Sequence, residues 1–235
     1  MTAPILTELE GGFPIARHDH VAIFYRGHEE AYRYASFLAE GLKRGDLCQY
    51  LAPTSFHQEM LEQLRPRVDG LDSFIQSGAL RLHAGIAEVA GLGEWAQSVF
   101  MDAECSQKNA VRWLEEGVWA KAAGFPYPDF FNFDALLNYL VKQYPSVALC
   151  QYDLDQMEPS HLFSAIAVHR HLLVEGTLVR DNPFYIPAEK FIPLSPAERE
   201  HDLAGLFRQV GFDWEKLLGA LVGFGRLQGD GSPPS

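Results

Sequence analysis

The turn Gly27-His28-Glu29-Glu30 follows an apolar segment, His20 to Tyr25, and opens a long helical segment, so its residue types decide what it can hold. A phosphate loop at such a turn needs a glycine-rich stretch closing on Lys and then Ser or Thr, because backbone N–H groups and the ammonium offset phosphate charge. This turn offers neither residue. Glu29 and Glu30 suit the positive end of the helix dipole, but they repel a triphosphate placed there. Asp153-Leu154-Asp155 occupies a strand end where an ATPase would carry its magnesium-associated acid, and without the lysine it reads as a strand terminus. A Ser-His-Asp hydrolase has no Gly-x-Ser-x-Gly elbow to build on. No catalytic residue is assigned, and the chain is expected not to be an enzyme.

His18-Asp19-His20 and His169-Arg170-His171 each place two imidazoles on one face if extended, as zinc sites sometimes do. Neither pair has a further Cys or His close in sequence, so no metal and no cofactor is expected. Cys48 and Cys150 lie in segments that read as buried, where cysteine acts as a small hydrophobe. A thiol pair is open to them if their strands are neighbours.

Strands alternate with helices along most of the chain, which predicts an α/β fold with a mostly parallel sheet and helices on both faces. Strands are expected over His20 to Tyr25, Leu47 to Ala52, Ala79 to His83, within Val111 to Trp119, and over Val147 to Asp153. A short helix after Ser160 is expected to give way to Ala165 to Leu173, and Asn182 to Ile186 to close the fold as an edge element. Helical spacing covers Glu29 to Lys43, Phe56 to Leu64, Asp72 to Gly78, Glu94 to Lys108 and Phe130 to Gln143. Residues 1 to 17 read as a polar lead-in.

The last segment is an amphipathic helical appendage. Ser195-Pro196-Ala197-Glu198 is a capping box that starts a helix running to about Gln209. Asp213 caps a second, in which Trp214, Leu217, Leu218, Leu221 and Val222 make one apolar stripe. That stripe must bury against the domain's own sheet or against another chain, as a relay or homo-oligomer surface. The tail Gln228 to Ser235 reads as disordered.

Ligands of open α/β sheets collect at the carboxyl ends of the strands. There Tyr25, Glu116 and Tyr152 are candidates to hold a small polar organic molecule, with Trp119 as an apolar wall and His28 and Glu30 from the turn. The same aromatics serve equally as core residues with hydrogen-bonded tips. His20 starts its strand, about 17 Å from Tyr25 at ~3.3 Å per residue, so one small ligand would not touch both.

The 235 residues suffice for one well-buried core plus an appendage. Thirty-one acidic against nineteen basic residues leave a net charge of −12, which disfavours a nucleic-acid partner. No stretch approaches the roughly 20 apolar residues of a membrane span, and Met1 to Gly12 has no secretory pattern. With three widely spaced cysteines, a cytoplasmic protein with free thiols is expected.

Taken together, these residues resemble the MEDS domain, the methanogen/methylotroph DcmR sensory module, itself similar to KaiC-like RecA ATPases with degraded nucleotide motifs. The matching residues are His20, Phe24-Tyr25, Glu30, Gly41, Gly45, Cys48, Glu116 and Trp119. They continue with Phe133-Asp134, Asn138, Cys150-Gln151-Tyr152-Asp153, His169 and Asn182-Pro183-Phe184-Tyr185. Phe133-Asp134 departs from a family tendency to Tyr-Glu, and His169-Arg170 from His-Pro. The resemblance covers about residues 17–190, with 195–225 as the helical extension. It implies a RecA/KaiC-like fold and a sensory domain for one-carbon or hydrocarbon-derived compounds, with output through a separate signalling or transcriptional partner. An ATPase-derived interaction scaffold without ligand and a residual nucleotide binder are the alternatives.

Overall fold

The computed structural model describes residues 4–86, 88–199, 201–202 and 214–229. Two strands, β1 (Ile5–Leu9) and β2 (Phe13–Ala16), pair antiparallel at the start of the chain. The main sheet uses β3 (His20–Tyr25), β4 (Leu47–Leu51), β5 (Leu80–His83), β6 (Val111–Glu116), β7 (Ser146–Asp153), β8 (His171–Val174) and β9 (Thr177–Val179). Between and after them lie α1 (Ala35–Arg44), α2 (Thr54–Leu64), α3 (Leu71–Gln76), α4 (Val89–Cys105), α5 (Trp119–Ala122) and α6 (Tyr127–Gln143). The series ends with α7 (Pro159–Val168), α8 (Ala188–Phe191), α9 (Pro196–Arg199) and α10 (Trp214–Gly229).

Seven strands lie in the order β5-β4-β6-β7-β3-β8-β9. Pairing is parallel from β5 through β8, and only β9 runs antiparallel to its neighbour. Every residue of β3, β4, β6 and β7 is buried, as strands covered on both faces must be. Successive side chains alternate between two separate cores. Ala22, Phe24, Trp113, Cys150 and Tyr152 pack under α4, α6, α7 and α10. Val21, Ile23, Tyr25, Leu114 and Leu149 pack under α1, α2 and the β1–β2 hairpin.

The helix ends follow local rules. α1 stops at Gly45, whose left-handed backbone (φ 79°) lets its N–H reach the carbonyls of Gly41 and Leu42. Gly41 faces inward: a Cβ there would lie 2.4 Å from Arg112 Cδ and 2.8 Å from Cys48 Sγ. The fully buried Arg112 donates through Nε to Asp46 (2.8 Å) and through Nη1 to Glu40 (3.1 Å) and the Phe37 carbonyl (2.9 Å). A buried guanidinium needs such partners, because an unpaired one costs several kcal/mol. At α9, Glu198 N–H donates to Ser195 Oγ and Ser195 N–H to Glu198 Oε2, the expected capping box.

Several expectations are revised. The lead-in is a hairpin, turned by Gly11 and Gly12 at positive φ, whose Leu6, Leu9 and Ile15 are buried. α7 persists to Val168, so the following strand begins only at His171, and the edge strand is β9 rather than Asn182 to Ile186. Helix propensity there won over the apolar run that resembles a strand. The stripe on α10 is covered by this chain itself: Leu217, Leu218, Leu221 and Val222 are buried in the α6-side core against β8 and β9. Those residues are therefore not a free oligomer surface. Gln228 is still helical; the expected continuation to Gln209, the Asp213 cap and the tail beyond Gly229 lie outside the described residues.

Candidate functional site

At the carboxyl end of β3 the backbone leaves the sheet through Gly27 (φ 86°) into a single 3-10 turn, His28–Tyr32. A cleft of about 400 Å³ opens there, with Tyr25, Leu154 and Leu173 among its walls and Arg26, Glu30 and Arg33 at its mouth. Glu30 accepts from Arg33 Nη1 at 3.0 Å, and Arg26 pairs with Asp155 at 2.9 Å. His28 turns toward α2 instead, with Nε2 3.0 Å from Glu59 and its ring edge-on to Phe56. Apolar walls with an ion-paired mouth suit a small organic molecule with one polar end rather than a polyphosphate.

Beneath the cleft, Tyr25 shares its sheet face with Glu116. Gln151 Nε2 donates to Glu116 Oε2 at 3.2 Å, and the buried Tyr25 hydroxyl lies beside the Glu116 carboxyl. Burial pushes the Glu116 carboxyl up to about 8, and burial with the nearby Glu116 pushes the Tyr25 phenol up as well.

Tyr152 and Trp119 fall on the other face, with Phe24. Tyr152 stacks on Phe24 with ring centroids 5.6 Å apart, and Trp119 Nε1 donates to Glu115 at 2.7 Å. The structure thus does not bring together Tyr25, Glu116, Tyr152 and Trp119: two-residue alternation separates the first pair from the second. Cys48 and Cys150 do not meet either, because β6 lies between their strands.

His20 sits at the centre of a different group, on the α6 side. Its Nε2 lies 3.2 Å from Cys150 Sγ, and its ring is 4.0 Å from that of His169. One donor atom each from His20, Asp134, Cys150 and His169 lie within 4.8 Å of one another, and all four residues are buried. The Tyr152 hydroxyl donates to Asp134 Oδ2. His169 Nδ1 donates to the Ala165 carbonyl at 2.7 Å, which fixes the tautomer and leaves Nε2 a bare lone pair without a partner; Asp134 Oδ1 is likewise unpartnered. Burial lowers the His20 imidazole to about 3 and His169 well below its ordinary value. It raises the Asp134 carboxyl and the Cys150 thiol well above theirs.

Two asparagines hold His169 in place. Asn138 Nδ2 donates to the Val168 carbonyl at 2.9 Å, and Asn182 Nδ2 to the carbonyls of Ile166 (2.7 Å) and His169 (2.9 Å). Sequence reasoning placed His20 among the ligand-site candidates, weighed His169 and Cys150 only as metal or thiol possibilities, and gave Asp134 only as a family match. Asp134, Cys150 and His169 come from elements far apart in the chain, and it is the pairing of β3 beside β7 that brings His20 and Cys150 onto one face.

Fold and site define an α/β domain with a parallel sheet covered on both faces, a rim cleft on one side and a buried polar cluster on the other. Residues 19–170 match the family described as MEDS, the MEthanogen/methylotroph, DcmR Sensory domain. The chain belongs to this family. It is 26% identical over 160 residues to the transcriptional repressor DcmR of Methylorubrum extorquens, a match covering 67% of this chain and 60% of that protein. The flagellar accessory protein FlaH from Methanocaldococcus jannaschii is similar in structure at a TM-score of 0.46 and 12% identity, over 72% of this chain and 78% of that one. No described helix is long and apolar enough to cross a membrane.

Proposed function

We propose that this protein is a non-enzymatic sensory domain that binds a small organic molecule, one-carbon or hydrocarbon-derived, and relays occupancy to a signalling or transcriptional partner. Membership of a sensory family supports the class. The observation that carries the ligand reading is the rim cleft, of a volume that small-molecule sites commonly have, with apolar walls and ion-paired side chains at its mouth. The turn that would cradle phosphates carries Glu29 and Glu30 instead, so nucleotide is the disfavoured occupant. Tyr25 and Glu30 belong to this cleft; Glu116 lies behind Tyr25 and transmits its occupancy into the sheet.

Thermal unfolding of the purified protein against methanol, dichloromethane and related compounds, with Mg-ATP in parallel, tests the reading. A ligand at a hundred times its dissociation constant stabilises by about 2.7 kcal/mol. Leu154→Trp, which fills the cleft, is expected to abolish that gain while leaving the unliganded fold intact. Stabilisation by Mg-ATP alone, or by no compound, would remove the proposal.

A further inference from the structure

We infer that His20, Asp134, Cys150 and His169 form a binding site for one divalent transition-metal ion of the zinc class. This goes beyond the rim-cleft reading, because the cluster lies on the opposite face of the sheet and its occupancy is measured separately.

The donor set is the first argument. One thiol, two imidazoles and one carboxyl are the ligand types that zinc takes in tetrahedral sites. Four donors from separate parts of the chain, the start of β3, the middle of β7, α6 and the residue that follows α7, converge within 4.8 Å. Bond lengths of roughly 2.0–2.3 Å imply donor separations of about 3.3–3.8 Å in a tetrahedron, so the cluster closes on an ion by shifts of about an ångström. His20 Nε2 and Cys150 Sγ, at 3.2 Å, lie just short of that spacing.

Orphaned polar atoms are the second. A buried polar atom with no hydrogen-bond partner costs about 1–3 kcal/mol, and natural cores avoid it. Here His169 Nε2 and Asp134 Oδ1 are both buried and unpartnered, while the opposite atom of each group is engaged by Ala165 or Tyr152. That is the outer-shell pattern of metal ligands, in which the far side of the imidazole donates to a carbonyl and the near side is left to the ion.

Charge is the third. A thiolate, a carboxylate and two neutral imidazoles balance the two positive charges of a divalent cation, any proton on Cys150 Sγ or Asp134 leaving to solvent. A site without net charge is the form that a fully buried position tolerates. With four protein ligands the ion is closed off and ties β3 and β7 to α6 and α7.

The test is metal analysis of the reduced full-length protein, dialysed against Zn²⁺ and, separately, Co²⁺. One ion per chain is expected, together with a cobalt–thiolate charge-transfer band. Cys150→Ser should erase that band, and His169→Gln, which removes a ligand, should weaken Zn²⁺ competition against a chromophoric chelator by more than the roughly 10–100-fold that loss of an outer-shell partner costs. His28→Gln, at an exposed imidazole paired with Glu59, should change neither. A folded wild-type protein that retains no ion, or a cobalt complex without thiolate character, overturns the site even if Cys150→Ser fails to fold. Ion retention unchanged in Cys150→Ser and His169→Gln does the same. Failure here with an intact response to small organic compounds would leave the rim-cleft proposal standing.

Discussion

A carboxyl held neutral at Glu116 makes stability depend on pH. Its folded value of about 8 lies above the ordinary 4.5, so the folded state binds more protons than the unfolded one between those values. The contribution is fully present below about pH 4.5 and is lost as pH rises through 8, at up to ~1.4 kcal/mol per pH unit. Urea midpoints from pH 5 to 9 should therefore fall more steeply with rising pH in the wild type than in Glu116→Gln, which cannot ionise. Parallel curves for the two proteins would show that Glu116 ionises normally in the fold. Glu115, pushed up to about 7 by burial, contributes in the same direction, and the difference between the two curves isolates Glu116.

Within α1, one position inverts the usual helix rule. Gly→Ala in a helix interior ordinarily stabilises by about 1 kcal/mol, because glycine has more backbone freedom to lose. At Gly41 the added methyl would meet Arg112 Cδ at 2.4 Å and Cys48 Sγ at 2.8 Å, and Arg112 is pinned by Asp46, Glu40 and the Phe37 carbonyl. Overpacking of this kind costs about 1–3 kcal/mol. Gly41→Ala is expected to lower Tm by several degrees. Gly91→Ala in α4, where a Cβ meets nothing within 4 Å, should leave Tm unchanged or raise it. Equal shifts in both variants would remove the packing explanation.

Across the whole molecule, α10 closes the antiparallel edge of the sheet. Gly225 lets the helix approach β9 closely, since a Cβ there would lie 2.7 Å from Thr177 Cγ2. Leu221, 1% exposed, fills the joint, whereas Leu227 is 76% exposed. Leu221→Ala is expected to cost about 2–5 kcal/mol, and Leu227→Ala nearly nothing. Because the stripe packs within one chain, that cost should not vary with protein concentration. A cost that grows on dilution would return the stripe to an interface between chains.

The element order was legible because its signals are local. Continuous apolar runs at His20 to Tyr25 and Val147 to Asp153 read as buried strands, Gly45 as a helix stop, and Ser195 with Glu198 as a capping box. The β1–β2 hairpin escaped notice because its strands are short, although Gly11-Gly12 marked the turn. Which faces and neighbours result was not local. Strand order placed β6 between Cys48 and Cys150, and alternation placed Tyr25 and Tyr152 on opposite sides. The approach of His20, Asp134, Cys150 and His169 depends on β3 lying beside β7 with His20 opposite Ala148. Short-range patterning is written in neighbouring residues, whereas pairing register arises only when the whole sheet assembles, and that register is what gathers these four side chains.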